Sequence, residues 1–389
     1  MESKMGYVYA EGTSLYDGDG KKLVLKGVNL GDWFVQEFWM ASSCVDGFQT
    51  GIYTQSRGIA AMRDNPNLQE GQIRELEAFY IDTFIQEADF KRIRDLGLNV
   101  VRINFSVYNL TDGGENVREK GFEKLDWAVD MAEKYGLYVV LDLHGAIGSQ
   151  NMDHHSGDDA HFNLFGSSEN RCKTVHLWEQ IAEHFKESRT VAGYDLLNEP
   201  RRKKHRYGGK VCFDFYDELY RAVRKIDPNH MIIVECFSFP NHGADSRDYG
   251  WKNVCYEYHI YNLTPLSQMT CLRFYRFLHE KMGYEAPVYI GEWNAWGRDK
   301  DWQRTFDFFD RLGWSYTSWT YKVNRYPADH GVRAGRGSWG LLEIDVKPVN
   351  LHTATYEEIK KTYLSVGSEN AKETHVYDSY KKRFLNKIN

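Results

Sequence analysis

The chain has 389 residues, of which 42% are hydrophobic and 27% charged; this is the composition of a globular protein with a full core and excludes a disordered or fibrous chain. Its formal net charge of −6 disfavours a polyanionic partner, so we expect no nucleic acid to bind. The sequence has no run of about 18 apolar residues and no basic segment followed by an apolar one at its N-terminus. We therefore expect no membrane partner, no signal peptide and a cytoplasmic location.

The predicted elements begin with a β-hairpin over about residues 7–26. Its turn signal is the Asp-Gly-Asp-Gly sequence at residues 17–20, which lies between two β-rich runs. Residues 22–30 are predicted to form the first strand of the main sheet. The connection that follows, residues 31–71, is long, and such connections are commonly functional. A functional role is favoured by its aromatic residues, which include Trp33, Phe34, Phe38 and Trp39.

Strands and helices alternate along the rest of the chain. Apolar residues at helical spacing, such as Phe90, Ile93 and Leu96, predict helices between short apolar runs that are typical of buried strands. Eight strands are predicted, at residues 22–30, 100–104, 138–145, 191–197, 231–235, 255–261, 287–293 and 315–322. Later helices are predicted over residues 213–226, 268–281, 302–312 and 356–364. Repeated βα units without a glycine-rich phosphate loop predict the α/β class and a single (β/α)8 TIM barrel with elaborated βα loops.

No change in composition marks a second domain, so we predict one domain over residues 1–389. Its last part, about residues 368–389, is predicted to be a helical tail. The dense basic run at residues 201–205 is interpreted as a solvated loop edge, and a contact with substrate is the alternative.

Two acidic residues stand at the ends of predicted strands. The run at residues 191–197 stops in Asn198-Glu199-Pro200, and Pro200 removes a backbone donor that further pairing would need. The run PVYIGEW carries Glu292 at its own C-terminal edge. Because the carboxyl ends of barrel strands converge on one site, the two acids suggest glycoside chemistry.

Other polar or aromatic residues occur at the same kind of position. Taken one at a time, each is better explained by a satisfied ion pair or a buried histidine, but their recurrence at strand ends favours a site. The full set of strand-end residues is Arg102, His144, Asn198, Glu199, His259, Tyr261, Glu292 and Trp319.

These residues lie in the motifs VVRINF, LHGAIGSQN, LLNEP, YHIY and IGEW, which occur in the order found in glycoside hydrolase family 5. The chain resembles that family from Gly27 to about Lys322. The motifs GVNLGDWFVQE and LHGAIGSQN are most similar to its exo-acting β-1,3-glucanase branch and the related β-glucosidases. The resemblance implies that Glu199 is the general acid/base and Glu292 the nucleophile of a retaining mechanism.

The resemblance also implies roles for the neighbouring residues, and no cofactor or metal. Arg102 would keep Glu292 ionised, Tyr261 would orient it, and Asn198 would bind the sugar 2-hydroxyl. His144 and His259 would line the sugar site, with Trp319 as a stacking surface. Glu37 would bind the outermost hydroxyls in a pocket walled by Trp33, Phe34 and Trp39.

One segment departs from that branch, which has Gly, an aromatic residue and Asp after GSQN. Here Met152, Asp153 and His154 follow, so the contact with the terminal sugar falls on His154 and the identity of the sugar stays open. The same loop contains His155, Asp158, Asp159 and His161. We interpret it as a polar substrate loop, because its spacing fits no familiar metal-ligand pattern.

The leading hypothesis is a retaining exo-β-glycosidase that acts on β-glucosides or short β-glucan oligosaccharides. An endo-acting glycanase, a β-mannosidase or a glycolipid glycosidase of the same family is the first alternative. An inactive carbohydrate-binding barrel is the second, and the presence of both acids counts against it. The sugar, the linkage and the oligomeric state are left open by the sequence.

Overall fold

Eight parallel strands, closed into a barrel, form the centre of the protein in a computed structural model that describes residues 5–37, 40, 52, 54–201, 209–236, 239–262, 264–324 and 339–385. Numbered in chain order after three N-terminal strands, they are β4 (Lys26–Asn29), β5 (Val100–Ser106), β6 (Tyr138–Gly145), β7 (Val191–Asp195), β8 (Met231–Glu235), β9 (Val254–Ile260), β10 (Val288–Trp293) and β11 (Ser315–Ser318). Each pairs with the next, and β11 closes the ring on β4. The predicted (β/α)8 barrel is confirmed.

The strands are apolar runs because both of their faces are covered. Every residue of β5, β7 and β8 is buried, the inner side chains filling the barrel and the outer ones packing against helices. The helices of eight or more residues are Gln55–Arg63, Glu70–Phe84, Glu87–Asp95, Glu123–Lys134, Ser168–Phe185, Lys210–Ile226, Pro265–Met282, Asp299–Leu312, Tyr356–Leu364 and His375–Phe384. Within the described residues, no helix combines the length and apolar character needed to cross a membrane.

The first predicted strand was placed too early. Residues Lys22–Leu23 form β3 of a small antiparallel sheet with β1 (Tyr9–Glu11) and β2 (Ser14–Tyr16), and the barrel strand begins only at Lys26. The Asp-Gly turn sets this register, since it pairs Tyr16 with Lys22. The small sheet contributes Val8 and Leu15 to the apolar layer that closes the N-terminal end of the barrel.

Other strand limits also differ from the prediction. Strand β5 ends at Ser106, two residues after the predicted end, β7 ends at Asp195, two residues before it, and β11 ends at Ser318. Beyond β11 the Tyr321 N–H still donates to the carbonyl of Asn29 in β4, whereas the Thr320 N–H donates outside the barrel, to the carbonyl of Trp339. Residues Lys322–Asn324 then form β12 of a separate sheet with β13 (Leu342–Ile344) and β14 (Lys372–Glu373).

The long connection after β4 contains helices. Helices Gln55–Arg63 and Glu70–Phe84 occupy its second half, while Phe38 and Trp39 lie outside the described residues. Of the basic run at residues 201–205, only Arg201 is described. The C-terminal helix His375–Phe384 packs on the barrel through Tyr380 and Phe384, whose rings contact Phe306.

Candidate active site

The two acids predicted to carry the chemistry meet at the C-terminal end of the barrel. Glu199 lies four residues beyond the end of β7, and Glu292 lies within β10. One carboxylate oxygen of each, together with a ring nitrogen of His259, lie within 4.8 Å of one another. A separation of about 5–5.5 Å between carboxyl groups is the geometry of retaining glycosidases, whereas inverting enzymes need about 6.5–9.5 Å. The two acids therefore have the spacing of a double-displacement pair.

Glu292 is held as an oriented carboxylate. Its Oε1 accepts a hydrogen bond from Arg102 Nη1 at 3.1 Å, and its Oε2 accepts one from the Tyr261 hydroxyl at 2.7 Å. The pairing of β10 with β9 shifts register between Ile290 and Glu292, next to the carboxylate. Gly291 fills the shift, and a Cβ there would lie 1.4 Å from Oε1 of Glu257. Only glycine lets that buried carboxylate approach the backbone beside Glu292.

Arg102 is the fully buried cation at the centre of the site. Its guanidinium donates to Asp195 at 2.7 and 2.9 Å and to Asn198 Oδ1 at 3.0 Å, and it lies 3.2 Å from Asp142 and 3.4 Å from Glu257. Burial would raise the pKa of Asp142 and Glu257, but Arg102 lowers it, so both stay ionised. At Asp195, burial and the charges of Glu257 and Asp142 outweigh the effect of Arg102, so the pKa of Asp195 lies well above its ordinary value.

Glu199 has an unusual backbone conformation that fixes its direction. Its φ is +40°, a region that non-glycine residues rarely adopt. The strained turn is held on both sides, since its N–H donates to a carboxylate oxygen of Glu235 and its carbonyl accepts from Asn151 Nδ2 at 3.1 Å. Asn151 belongs to the GSQN motif, so that motif supports the acid from the neighbouring loop.

The carboxylate of Glu199 lies between two imidazoles. His259 Nδ1 is 3.0 Å from Oε1 and His155 Nε2 is 3.2 Å from Oε2, and Arg201 approaches Oε2 at 3.3 Å. Burial would raise the pKa of Glu199, but His155 and His259 hold it well below its ordinary range. Burial would lower the pKa of both imidazoles, but Glu199 and Asp153 raise that of His155, and Glu235, Glu292 and Glu199 raise that of His259. In the sugar-free protein the acidic proton therefore resides on an imidazole, one hydrogen bond from Glu199.

Glu235, at the end of β8, is a buried acid that the sequence reasoning did not select. It supports the Glu199 backbone, and its Oε1 is 3.7 Å from His259 Nδ1. Burial and the nearby charges of Glu199 and Glu257 raise the pKa of Glu235 to about 8. This side chain is therefore protonated at neutral pH.

His144 and Trp319 form the side of the site opposite these acids. A carboxylate oxygen of Asp142 lies 2.6 Å from His144 Nδ1, and this contact fixes the imidazole ring. The His144 and Trp319 rings are nearly parallel, with their centroids 5.5 Å apart. His144 Nε2 is buried and has no hydrogen-bond partner among the described residues. A buried polar atom without a partner is costly, so this nitrogen is suited to bind a sugar hydroxyl.

Glu37 borders the same cavity from the loop after β4. Its backbone N–H donates to Asp32 Oδ1 at 2.6 Å, and Asp32 is in turn held by the Tyr80 hydroxyl. His154 Nε2 lies 3.1 Å from Glu37 Oε2. Burial would raise the pKa of Glu37, but His154 lowers it, so the carboxylate is ionised.

Trp33 is packed in the protein interior. It is 1% exposed, its Nε1 donates to the carbonyl of Ile81 at 2.7 Å, and its ring packs on Phe34 and Trp127. The role of Trp33 and Phe34 as a pocket wall stays a prediction. Another aromatic ring near the site is that of Trp339, which lies 5.8 Å from the Tyr261 ring and 4.3 Å from Trp296.

Among the residues that the structure describes, two sets of three side chains bring oxygen or nitrogen atoms close enough for a metal ion, and both include Glu199. In the set with Asp153 and His155, the Arg201 guanidinium already lies 2.6 Å from Asp153. The other set consists of Glu199, His259 and Glu292. In the first set Arg201 and His155, and in the second set Arg102 and His259, supply the positive charge that a metal ion would bring.

A closed (β/α)8 barrel with paired carboxylates at the ends of two strands defines the architecture of a glycosidase barrel. Comparison with known proteins identifies the family: the profile described as Cellulase (glycosyl hydrolase family 5) matches residues 64–325, and the chain belongs to that family.

Two similar proteins are described as enzymes for different sugars. The chain is 31% identical over 269 residues to a beta-xylosidase of Phanerodontia chrysosporium, covering 67% of this chain and 52% of that protein. It is 30% identical over 282 residues to the sporulation-specific glucan 1,3-beta-glucosidase of Saccharomyces cerevisiae, covering 68% and 62% respectively. The chain thus spans about half to two thirds of the length of these relatives.

Solved structures support the fold. An endogalactoceramidase superposes with a TM-score of 0.62 at 17% identity, covering 92% of this chain and 84% of that one. The rutinosidase from Aspergillus niger also gives a TM-score of 0.62, at 16% identity, covering 88% and 98%. At this identity the likeness concerns the barrel alone.

Proposed function

We propose that this protein is a retaining glycoside hydrolase that removes terminal sugars from β-glycosides or short β-linked oligosaccharides. The observation that carries the proposal is the approach of Glu199 and Glu292 to within 4.8 Å, with each carboxylate held by its own partners. Family membership supports the same chemistry.

In the first half of the reaction, a carboxylate oxygen of Glu292 attacks the anomeric carbon while the bond to the leaving oxygen breaks. Glu199 protonates that oxygen and receives a proton from a neighbouring imidazole. In the second half, Glu199 takes a proton from water, which attacks the same carbon and releases Glu292. Arg102 and Tyr261 stabilise Glu292 as the leaving carboxylate, since both donate to it.

Exo action is supported by the position of Glu37. His154 contacts Glu37 at 3.1 Å and its neighbour His155 contacts Glu199 at 3.2 Å, so a charged acceptor lies at the other end of the histidine pair from the acid/base. A buried carboxylate that binds terminal hydroxyls discriminates strongly, because a substrate lacking them leaves it desolvated and unpaired.

The experiment is a panel of aryl β-glycosides that includes the xyloside and the glucoside, with the first-formed product followed by proton NMR. Release of the β-anomer supports the proposal, and release of the α-anomer contradicts it. Oligosaccharide substrates should yield monosaccharide from the first turnover. Early products that are mainly longer oligosaccharides would favour the endo-acting alternative.

A further inference from the structure

A row of imidazoles forms one wall of the cavity between Glu199 and Glu37. His155 contacts Glu199 at 3.2 Å, the His155 and His154 ring centroids are 5.6 Å apart, and His154 contacts Glu37 at 3.1 Å. His155 and His154 thus form a continuous row of imidazoles between the acid/base and Glu37. A sugar bound with its anomeric carbon between the two acids and its ring along this row would direct its far end, with C4 and C5, toward His154 and Glu37.

The loop that carries His154 is held firmly by its own hydrogen bonds. His154–Ser156 form a 3-10 turn, and the Ser156 hydroxyl lies 2.9 Å from the carbonyl of Asp153 and from the Ser149 hydroxyl. The Asp153 N–H donates to Asn151 Oδ1 at 2.9 Å. Ser156 is buried, so this support is shielded from water. The backbone beneath His154 is therefore anchored to the GSQN motif, and the imidazole is aimed at Glu37.

Glu37 is engaged by this contact before any sugar binds. A carboxylate only accepts hydrogen bonds, so His154 donates from Nε2 to Oε2. Glu37 is 3% exposed and the His154 side chain 44%, which places the imidazole outside the carboxylate, at the cavity rim. This bond takes one of the acceptor sites of Oε2 and limits the directions from which a sugar hydroxyl can approach that oxygen. The imidazole also occupies space beside the carboxylate.

A hexopyranose and a pentopyranose differ at this end of the ring. The hexose carries a hydroxymethyl group on C5, which needs both room and a hydrogen-bond partner. We propose that His154 makes the cavity select a terminal β-linked pentopyranose, such as a β-xyloside, over the corresponding hexopyranoside. This inference rests on the proposed function and names the substrate class of the same site.

The size of the discrimination follows from the size of the group. One added methylene in a closed apolar site changes kcat/KM by roughly 10–200-fold, and here the excluded group also carries a hydroxyl that lacks a partner. We expect wild-type kcat/KM for 4-nitrophenyl β-xyloside to exceed that for the β-glucoside by about tenfold or more. His154→Ala removes the ring and releases Glu37, so the ratio should fall by about tenfold, chiefly through a gain on the glucoside.

The experiment measures both substrates with wild type, His154→Ala and His154→Asn, and checks each variant for an unchanged melting temperature. His176→Ala is the matched control, because His176 pairs with Glu179 on an outer helix far from the cavity and its loss should leave the ratio unchanged. A glucoside preference in the wild type, or an unaltered ratio in both His154 variants, would overturn the inference while the proposed function stands. Failure of the wild type to cleave any β-glycoside would overturn both.

Discussion

Replacing Glu235 by glutamine should change how the stability of the protein depends on pH. The pKa of Glu235 rises from an ordinary 4.5 to about 8 in the folded protein, chiefly through burial. The folded state thus binds more protons than the unfolded state between these values, so the free energy of unfolding falls as pH rises through that window. Glutamine has nearly the same shape as the protonated acid, can still accept from the Glu199 N–H, and does not titrate.

The magnitude follows from the two pKa values. A pKa difference of one is worth about 1.4 kcal/mol, so between pH 5 and pH 9 the wild type should lose about 4 kcal/mol relative to Glu235→Gln. With an unfolding entropy of about 2 cal/mol/K per residue, this corresponds to roughly 5 °C in melting temperature for the whole chain. The variant should melt close to wild type at pH 5 and above it at pH 9.

The assay is thermal unfolding of wild type and variant at both pH values. Comparing the two proteins cancels the titration of groups that do not interact with Glu235. Glu218→Gln, on the exposed face of helix Lys210–Ile226, is the control and should follow the wild type. Parallel curves for wild type and Glu235→Gln across this range would show that Glu235 is ionised in the fold and that the reasoning is wrong.

Two further predictions concern the chemistry. Glu199→Ala should still be glycosylated by a substrate with a good leaving group and should be rescued by azide, whereas Glu292→Ala should lose the covalent step. A fluorosugar that labels Glu199 in place of Glu292 would reverse these roles. Tyr261→Phe should lower kcat by roughly 10–100-fold with a small effect on stability, because it removes one donor to the nucleophile at a half-exposed position. A kcat equal to wild type would show that Arg102 alone orients Glu292.

The sequence predicts the barrel and the convergence of its polar residues for a simple physical reason. Parallel strands present their carboxyl ends at one rim, so residues such as Arg102 and His259 meet although they are far apart in the chain. The rule also applies to Glu235, which ends the predicted strand MIIVE. The same rule therefore predicts a polar side chain at the end of β8, where no family motif marks Glu235.

Other features depend on information that strand periodicity lacks. The run KKLVLKGVNL has high β propensity throughout, so periodicity does not show where β3 ends and β4 begins. That boundary is set by the register of the hairpin and by the apolar layer at the N-terminal end of the barrel. Trp33 follows a strand end, but its direction is decided by the Ile81 carbonyl in a distant helix. His155 reaches Glu199 through a 3-10 turn that has no periodic signature. Loop side chains are therefore the part of the site that needs the structure.

The two histidines beside Glu199 affect the proposed mechanism through the protonation of that acid. The imidazoles that lower the pKa of Glu199 favour its ionised form, yet the first half of the proposed reaction needs Glu199 to carry a proton. His259 lies 3.7 Å from Glu292 and 3.0 Å from Glu199, so its proton is stabilised by both carboxylates. As Glu292 bonds to the anomeric carbon its charge disappears, and the His259 proton becomes easier to release toward Glu199. Attack by the nucleophile thereby strengthens the acid at the moment when the leaving oxygen needs a proton.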